Sequence, residues 1–164
     1  MTKKIALLIA FGCLFSTAIA QDKFNFYQPE ADAQKEIEQA IAQAQQENKH
    51  ILLEIGGNWC SWCKLFYDLT TTDENLKTFL SENYVVVPVN YSKENWNTAV
   101  LEKLDFPQRF GMPVFVVLDE NGQRLHTQNS GYLEEGKGHS PKKVMEFLQH
   151  WSPNALNPAH YQKK

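Results

Sequence analysis

Trp59-Cys60-Ser61-Trp62-Cys63-Lys64 sets two cysteines two residues apart, a spacing at which their sulfurs can close a small disulfide and open it again. That chemistry is electron exchange through thiols. The apolar run from Ile51 to Ile55 leads into the motif through Gly56-Gly57-Asn58, and an amphipathic segment begins at Lys64, so Cys60 is expected where a strand hands over to a helix. A thiol there meets unpaired backbone N–H groups and the positive end of the helix dipole, and both favour thiolate over thiol.

Other uses of such a pair are weaker fits. Two thiolates supply half of a tetrahedral metal shell, and no second pair or nearby H-x-x-x-H supplies the rest. Haem attachment would need histidine directly after Cys63, where Lys64 stands. An inert staple normally bridges a long loop, and this pair closes almost none. His50, His126, His139, His150 and His160 are scattered and read as solvated or structural. No metal site and no cofactor beyond a redox-active Cys60–Cys63 disulfide is expected.

Several elements must position the motif. Ile37, Ala40, Ile41 and Ala44 recur at helical spacing within 31–47, and Asn48-Lys49 ends that helix. His50 to Ile55 is a buried-strand candidate, and the helix opening at Lys64 runs toward Leu69 or Thr70. Leu76, Phe79 and Leu80 mark a further helix over 73–80, capped by Asp73 or Thr72. Tyr84 to Val89 is the strongest strand signal, despite Pro88. The spacing predicts a helix over 97–104, a strand over 113–118, a turn at Asp119-Glu120-Asn121-Gly122 and an antiparallel return over 123–127. Ser140-Pro141 opens a last helix through Val144, Phe147, Leu148 and Trp151. Residues 131–139 read as a mobile loop, and the tail after Pro153 as disordered. The order implies an α/β protein, a mixed sheet covered by helices, with an extra N-terminal helix.

The first twenty residues read as an export signal, with Lys3 and Lys4 at a basic start, an apolar stretch from Ile5 to Phe15, and Ala18-Ile19-Ala20 before the cleavage point. A lipid on Cys13 is the competing reading, set against a poor lipobox at Ala10-Phe11-Gly12. The remaining organisation is an aromatic lead-in over 21–33, one domain over 34–152 and a tail over 153–164. Cleavage removes two lysines and no acid from a chain of formal net charge −3, leaving about 144 residues and an acidic protein whose only cysteines are Cys60 and Cys63. Without a basic run it offers nucleic acid no electrostatic footing, and no later segment reaches membrane-spanning length.

Taken together, the helix ending in Glu47-Asn48-Lys49, the strand Ile51 to Ile55, the Trp59–Lys64 motif, Phe66, Thr70, Asp73, Leu76, Val86 to Asn90, Gly111-Met112-Pro113, and Asp119 to Gln123 leading to Gly131-Tyr132 carry a resemblance. From about Gln34 to Trp151 the chain resembles thioredoxin-fold proteins, in particular the C-terminal periplasmic domain of transmembrane disulfide reductases and small secreted thioredoxin-like proteins. The resemblance implies that Cys60 is the exposed nucleophile and Cys63 the buried resolving thiol. It also implies that Pro113 is a cis-proline, preceded by Met112 lying against the site and offering backbone hydrogen bonds to a bound chain. An ordinary strand-start proline is the plainer alternative. Glu54, six places before Cys60, falls where the family keeps a buried acid. Among apolar neighbours its carboxyl should have a raised pKa and accept the proton of Cys63. Trp59 is both packing and a lid beside the thiols, while Trp62 either shields the disulfide and receives a partner or simply packs.

Four positions depart from the family pattern: Pro88 where thioredoxins often hold a buried lysine, Tyr67 in place of a second acid, and the uncommon pair Ser61 and Trp62. The expected activity is disulfide reduction in exported proteins, in the periplasm or outside the cell, with a membrane electron carrier as donor. An oxidase or isomerase is the nearest alternative. A non-catalytic peptide-binding or metal-binding module is the alternative of another class.

Overall fold

The computed structural model describes residues 24–162. The export signal, Cys13 and the start of the lead-in lie outside the described residues. The helices are α1 (Ala33–Glu47), α2 (Ser61–Thr72), α3 (Glu74–Asn83), α4 (Thr98–Lys103) and α5 (Pro141–His150). The main strands are β1 (His50–Gly56), β2 (Tyr84–Asn90), β3 (Val114–Leu118) and β4 (Arg124–Asn129), in the spatial order β2-β1-β3-β4. β1 runs parallel to β2 and antiparallel to β3, and β3 runs antiparallel to β4, so the sheet is mixed.

Strand β1 is buried at every position because helices cover both faces of the sheet. Ile51, Leu53 and Ile55 join Ala33, Ile37, Ala40 and Ala44 of α1 and Val100 and Leu101 of α4 in one core. Leu52 faces the other way, into a core with Phe66 of α2, Leu76 and Leu80 of α3, and Val144, Phe147 and Leu148 of α5. Each such aliphatic or aromatic side chain contributes roughly 1.5–3 kcal/mol on burial. The alternation of a strand puts Glu54 on the α2 side with Leu52. Its ladder neighbours are Pro88 on β2 and Phe115 on β3. Proline is tolerated at that point because β2 is an edge strand.

The caps explain where the helices begin and end. Asn48 closes α1 in the left-handed region (φ 54°). α2 starts at Ser61, earlier than the amphipathic pattern from Lys64 indicated, because extended Cys60 is its N-cap. It also runs on to Thr72, and in its last turn the Thr70, Thr71 and Thr72 hydroxyls donate back to the carbonyls of Phe66, Tyr67 and Asp68. Asp73 then caps α3 by accepting from the N–H groups of Asn75 and Leu76.

Two expectations are corrected. Residues 131–139 are not a featureless loop: a 3-10 turn (Ser130–Leu133) leads into a small antiparallel pair, β5 (Glu134–Glu135) and β6 (Gly138–His139). Leu133 anchors the segment in the α5-side core, and the Ser140 N–H donates to the Leu133 carbonyl at 2.8 Å. The tail through residue 162 forms turns and a short 3-10 helix (Pro158–His160), held by Asn157 as a cap and by the Tyr161 hydroxyl donating to the Ala155 carbonyl. Polar caps replace the apolar anchors that the sequence lacks there.

Candidate active site

Cys60 and Cys63 are joined as a disulfide at the N-terminus of α2, with their Cα atoms 5.2 Å apart. The Cys63 N–H donates to Cys60 Sγ at 3.1 Å, so the capping atom of the helix is itself the sulfur. One of the orphan donors of the first turn is thereby aimed at the group that would carry negative charge after reduction. The exposed position expected for Cys60 is not observed: it is 5% exposed, against 1% for Cys63. Tyr27 of the lead-in shares one buried cluster with Cys60 and Cys63, and Phe24, Phe26, Trp62 and Met112 pack against that cluster.

The lead-in is held down from two sides. Tyr27 N–H donates to Asn58 Oδ1 at 3.0 Å, and Asn58 Nδ2 returns a bond to the Tyr27 carbonyl at 2.7 Å. Phe24 and Phe26 lie against the ring of Tyr67 on α2, with centroids 5.5 and 4.8 Å away. Tyr67, where a second acid was expected from the family pattern, thus serves as an aromatic seat for this segment.

Glu54 is buried, and loss of hydration pushes its pKa up to about 8. It also borders a cavity of about 270 Å³ that reaches the surface at Thr71, Lys77 and Ser81, with Phe26, Tyr67, Thr70 and Tyr84 on its walls. That opening gives the buried acid a route for exchanging protons with water. Gly56, the last residue of β1, is a close approach: a Cβ there would lie 2.5 Å from Cys63 Sγ and 2.7 Å from the Tyr27 hydroxyl oxygen. The sulfur and the phenol therefore face the same glycine.

The other expected site residues border the same place. The Met112–Pro113 peptide bond is cis, Pro113 is buried, and Met112 packs on the cysteine cluster. Trp59 is 62% exposed, yet its ring N–H donates to the Tyr91 carbonyl at 2.8 Å, and Gly57 leaves room for the indole. Trp62 is half-buried and meets His139 edge-on, with centroids 5.4 Å apart.

Tyr27, Asn58 and His139 escaped the sequence reading. Tyr27 lies in the aromatic lead-in, whose Phe24, Phe26 and Tyr27 together are too apolar for a solvated flank. His139 is buried against Trp62 and the ring of Phe66, and among the described residues neither of its ring nitrogens has a hydrogen-bond partner. Among the described residues, no three His, Cys, Asp or Glu side chains gather as a metal would require, and no helix is long and apolar enough to cross a membrane.

A profile of the thioredoxin-like family matches residues 32–120. The chain is 28% identical over 127 residues to the thiol:disulfide interchange protein DsbD of Campylobacter jejuni (strain RM1221), covering 73% of this chain and 22% of that protein. It is 27% identical over 143 residues to DsbD of Haemophilus ducreyi, covering 79% of this chain and 24% of that protein. The chain thus spans less than a quarter of the length of these curated relatives. The crystal structure of a disulphide isomerase from Xylella fastidiosa superposes with a TM-score of 0.67 at 23% identity, covering 75% of this chain and 93% of that one. The oxidised C-terminal domain of Neisseria meningitidis DsbD superposes with a TM-score of 0.50 at 17% identity, covering 73% and 96%.

Proposed function

Since the chain belongs to the thioredoxin-like family, we propose that it is a thiol-disulfide oxidoreductase that reduces disulfides in exported proteins. The observation that carries this reading is the Cys60–Cys63 disulfide at the start of α2, with Glu54 buried on the face of β1 turned toward that helix. In the reduced protein, Cys60 thiolate attacks one sulfur of a partner disulfide, the partner S–S bond breaks, and its other sulfur leaves as a thiolate. Cys63 then loses its proton toward Glu54 and attacks Cys60 Sγ. The second partner sulfur leaves, and the Cys60–Cys63 bond forms. Two electrons pass to the partner. Met112 and cis-Pro113, with Trp59 and Trp62, supply the surface against which the partner chain lies.

Direction follows from how strongly the reduced thiolate is held, from about −270 mV for thioredoxin to about −120 mV for strongly oxidising relatives of the fold. Ser61-Trp62 brings no cation to Cys60, and Lys64, the next cation along the chain, is paired with Asp68 at 2.5 Å. Burial among aromatic side chains also disfavours the thiolate. A reducing potential follows. In an oxidising compartment such a protein needs two electrons from a donor after each turnover, and a membrane electron carrier fits that need. The reading takes 1–20 as an export signal and places the mature chain in the periplasm or outside the cell.

The test is insulin reduction with dithiothreitol as donor, together with the redox equilibrium against glutathione. Turnover that disappears in Cys60→Ala and a potential below about −180 mV support a reductase. A higher potential would instead make it an oxidase or isomerase. Turnover no faster than with dithiothreitol alone would leave only a binding module. Cys63→Ala should stall the mixed disulfide and so capture the partners.

A further inference from the structure

We propose that Tyr27 is part of the reacting site: its hydroxyl donates a hydrogen bond to Cys63 Sγ as that thiolate forms and passes the Cys63 proton on to Glu54. This rests on the reading of Cys60 and Cys63 as an exchanging pair, and it adds a residue that lies outside the span matched by the family profile.

The geometry is specific. Tyr27 is 1% exposed, its backbone is clamped in both directions by Asn58, and its hydroxyl oxygen faces Gly56 from the same side as Cys63 Sγ. A tyrosine buried only for its ring would have its oxygen against a backbone carbonyl or a polar surface. Here it faces the same glycine as Cys63 Sγ, and Glu54 lies two residues before that glycine on the same face of β1. Burial holds the Tyr27 hydroxyl well above the ordinary tyrosine pKa, and the nearby charge of Glu54 adds to this, so the group stays a donor. The other titratable side chains around the cavity next to Glu54 are Tyr67, Lys77 and Tyr84.

The step balances. As Cys63 S–H gives its proton to the Tyr27 oxygen, the Tyr27 O–H proton moves to the Glu54 carboxylate, leaving Tyr27 neutral, Glu54 protonated and Cys63 a thiolate. That thiolate forms the S–S bond to Cys60 and breaks the bond from Cys60 to the partner sulfur. Glu54 later gives its proton to water through the cavity, and the departing partner thiolate takes a proton from solvent.

Tyr27→Phe keeps the ring and removes the relay. Its test is a single-turnover reaction of the reduced protein with a fluorescent peptide disulfide, read across pH, alongside titration of Cys63 in the Cys60→Ser background by the NMR shift of its Cβ. The relay predicts that Tyr27→Phe slows the release phase about tenfold, leaves the initial attack within about twofold, and raises the Cys63 titration midpoint by about one pH unit. Asn58→Ala, which loosens Tyr27 without touching its ring, should move the midpoint in the same direction by less. Superimposable release profiles and Cys63 midpoints in wild type and Tyr27→Phe would overturn the relay. A wild type that never releases peptide would defeat the exchange reading instead, and the Cys63 midpoint would still decide whether the phenol donates to that sulfur.

Discussion

Asn58 and Tyr27 are joined by two hydrogen bonds in opposite senses, so a residue two places before Cys60 holds the backbone of the segment that helps bury the cysteine pair through Tyr27. Asn58→Ala removes both bonds, at a cost of about 1–2 kcal/mol. That segment should then lift more often, and reduction of the disulfide by dithiothreitol should be several times faster than in wild type. An unchanged reduction rate would mean that Phe24 and Phe26 do not limit access to Cys60.

Glu54 ties stability to pH. Its folded pKa of about 8 lies above its ordinary value of 4.5, so between those values the folded state holds a proton that the unfolded state has lost. Its contribution is fully present below about pH 4.5 and is lost as pH rises through about 8, at roughly 1.4 kcal/mol for each pKa unit. Urea unfolding across that window should show stability falling with pH in wild type and a flatter profile in Glu54→Gln. Glu54→Leu should leave attack by Cys60 nearly intact while slowing release of the mixed disulfide, and equal release rates would remove Glu54 from the mechanism.

His139 acts on the other side of neutrality. Burial lowers its imidazole pKa, so as pH falls below about 6.5 the unfolded chain takes up the proton first and the folded state loses stability. His139→Phe should flatten that acid-side slope. Because His139 touches Trp62, the same variant should alter Trp62 fluorescence, which a histidine remote from the motif would leave alone.

Gly56→Ala tests the tight spot between strand and disulfide. The added methyl would press on Cys63 Sγ and the Tyr27 hydroxyl, and overpacking of this kind costs about 1–3 kcal/mol. Thermal unfolding of the oxidised protein should shift downward accordingly. Tyr27→Phe, combined with it, should recover part of the loss by removing one of the two colliding atoms.

The strands and the dithiol motif were legible because their signals are local. Ile51 to Ile55 and Tyr84 to Val89 are apolar runs of strand length, and the Cys60–Cys63 spacing needs no tertiary context. The packing of the lead-in on the cysteine cluster was not legible, since it depends on Phe24, Phe26 and Tyr27 meeting α2 more than thirty residues further on. His139 was hidden for a different reason. Two-residue strands carry no periodicity, and nothing in Gly136 to Ser140 announces that its ring turns inward against Trp62. The C-terminal turns escaped because they are held by side-chain caps on a polar stretch, a pattern that composition alone scores as unstructured.

The span matched by the family profile starts at residue 32, after Tyr27. A protein trimmed at that point would therefore keep the cysteines and every helix and main strand while discarding the aromatic side chains that pack on the sulfur pair. Anyone transplanting this dithiol into another host must bring the upstream aromatics along, or accept a wetter sulfur pair with different chemistry.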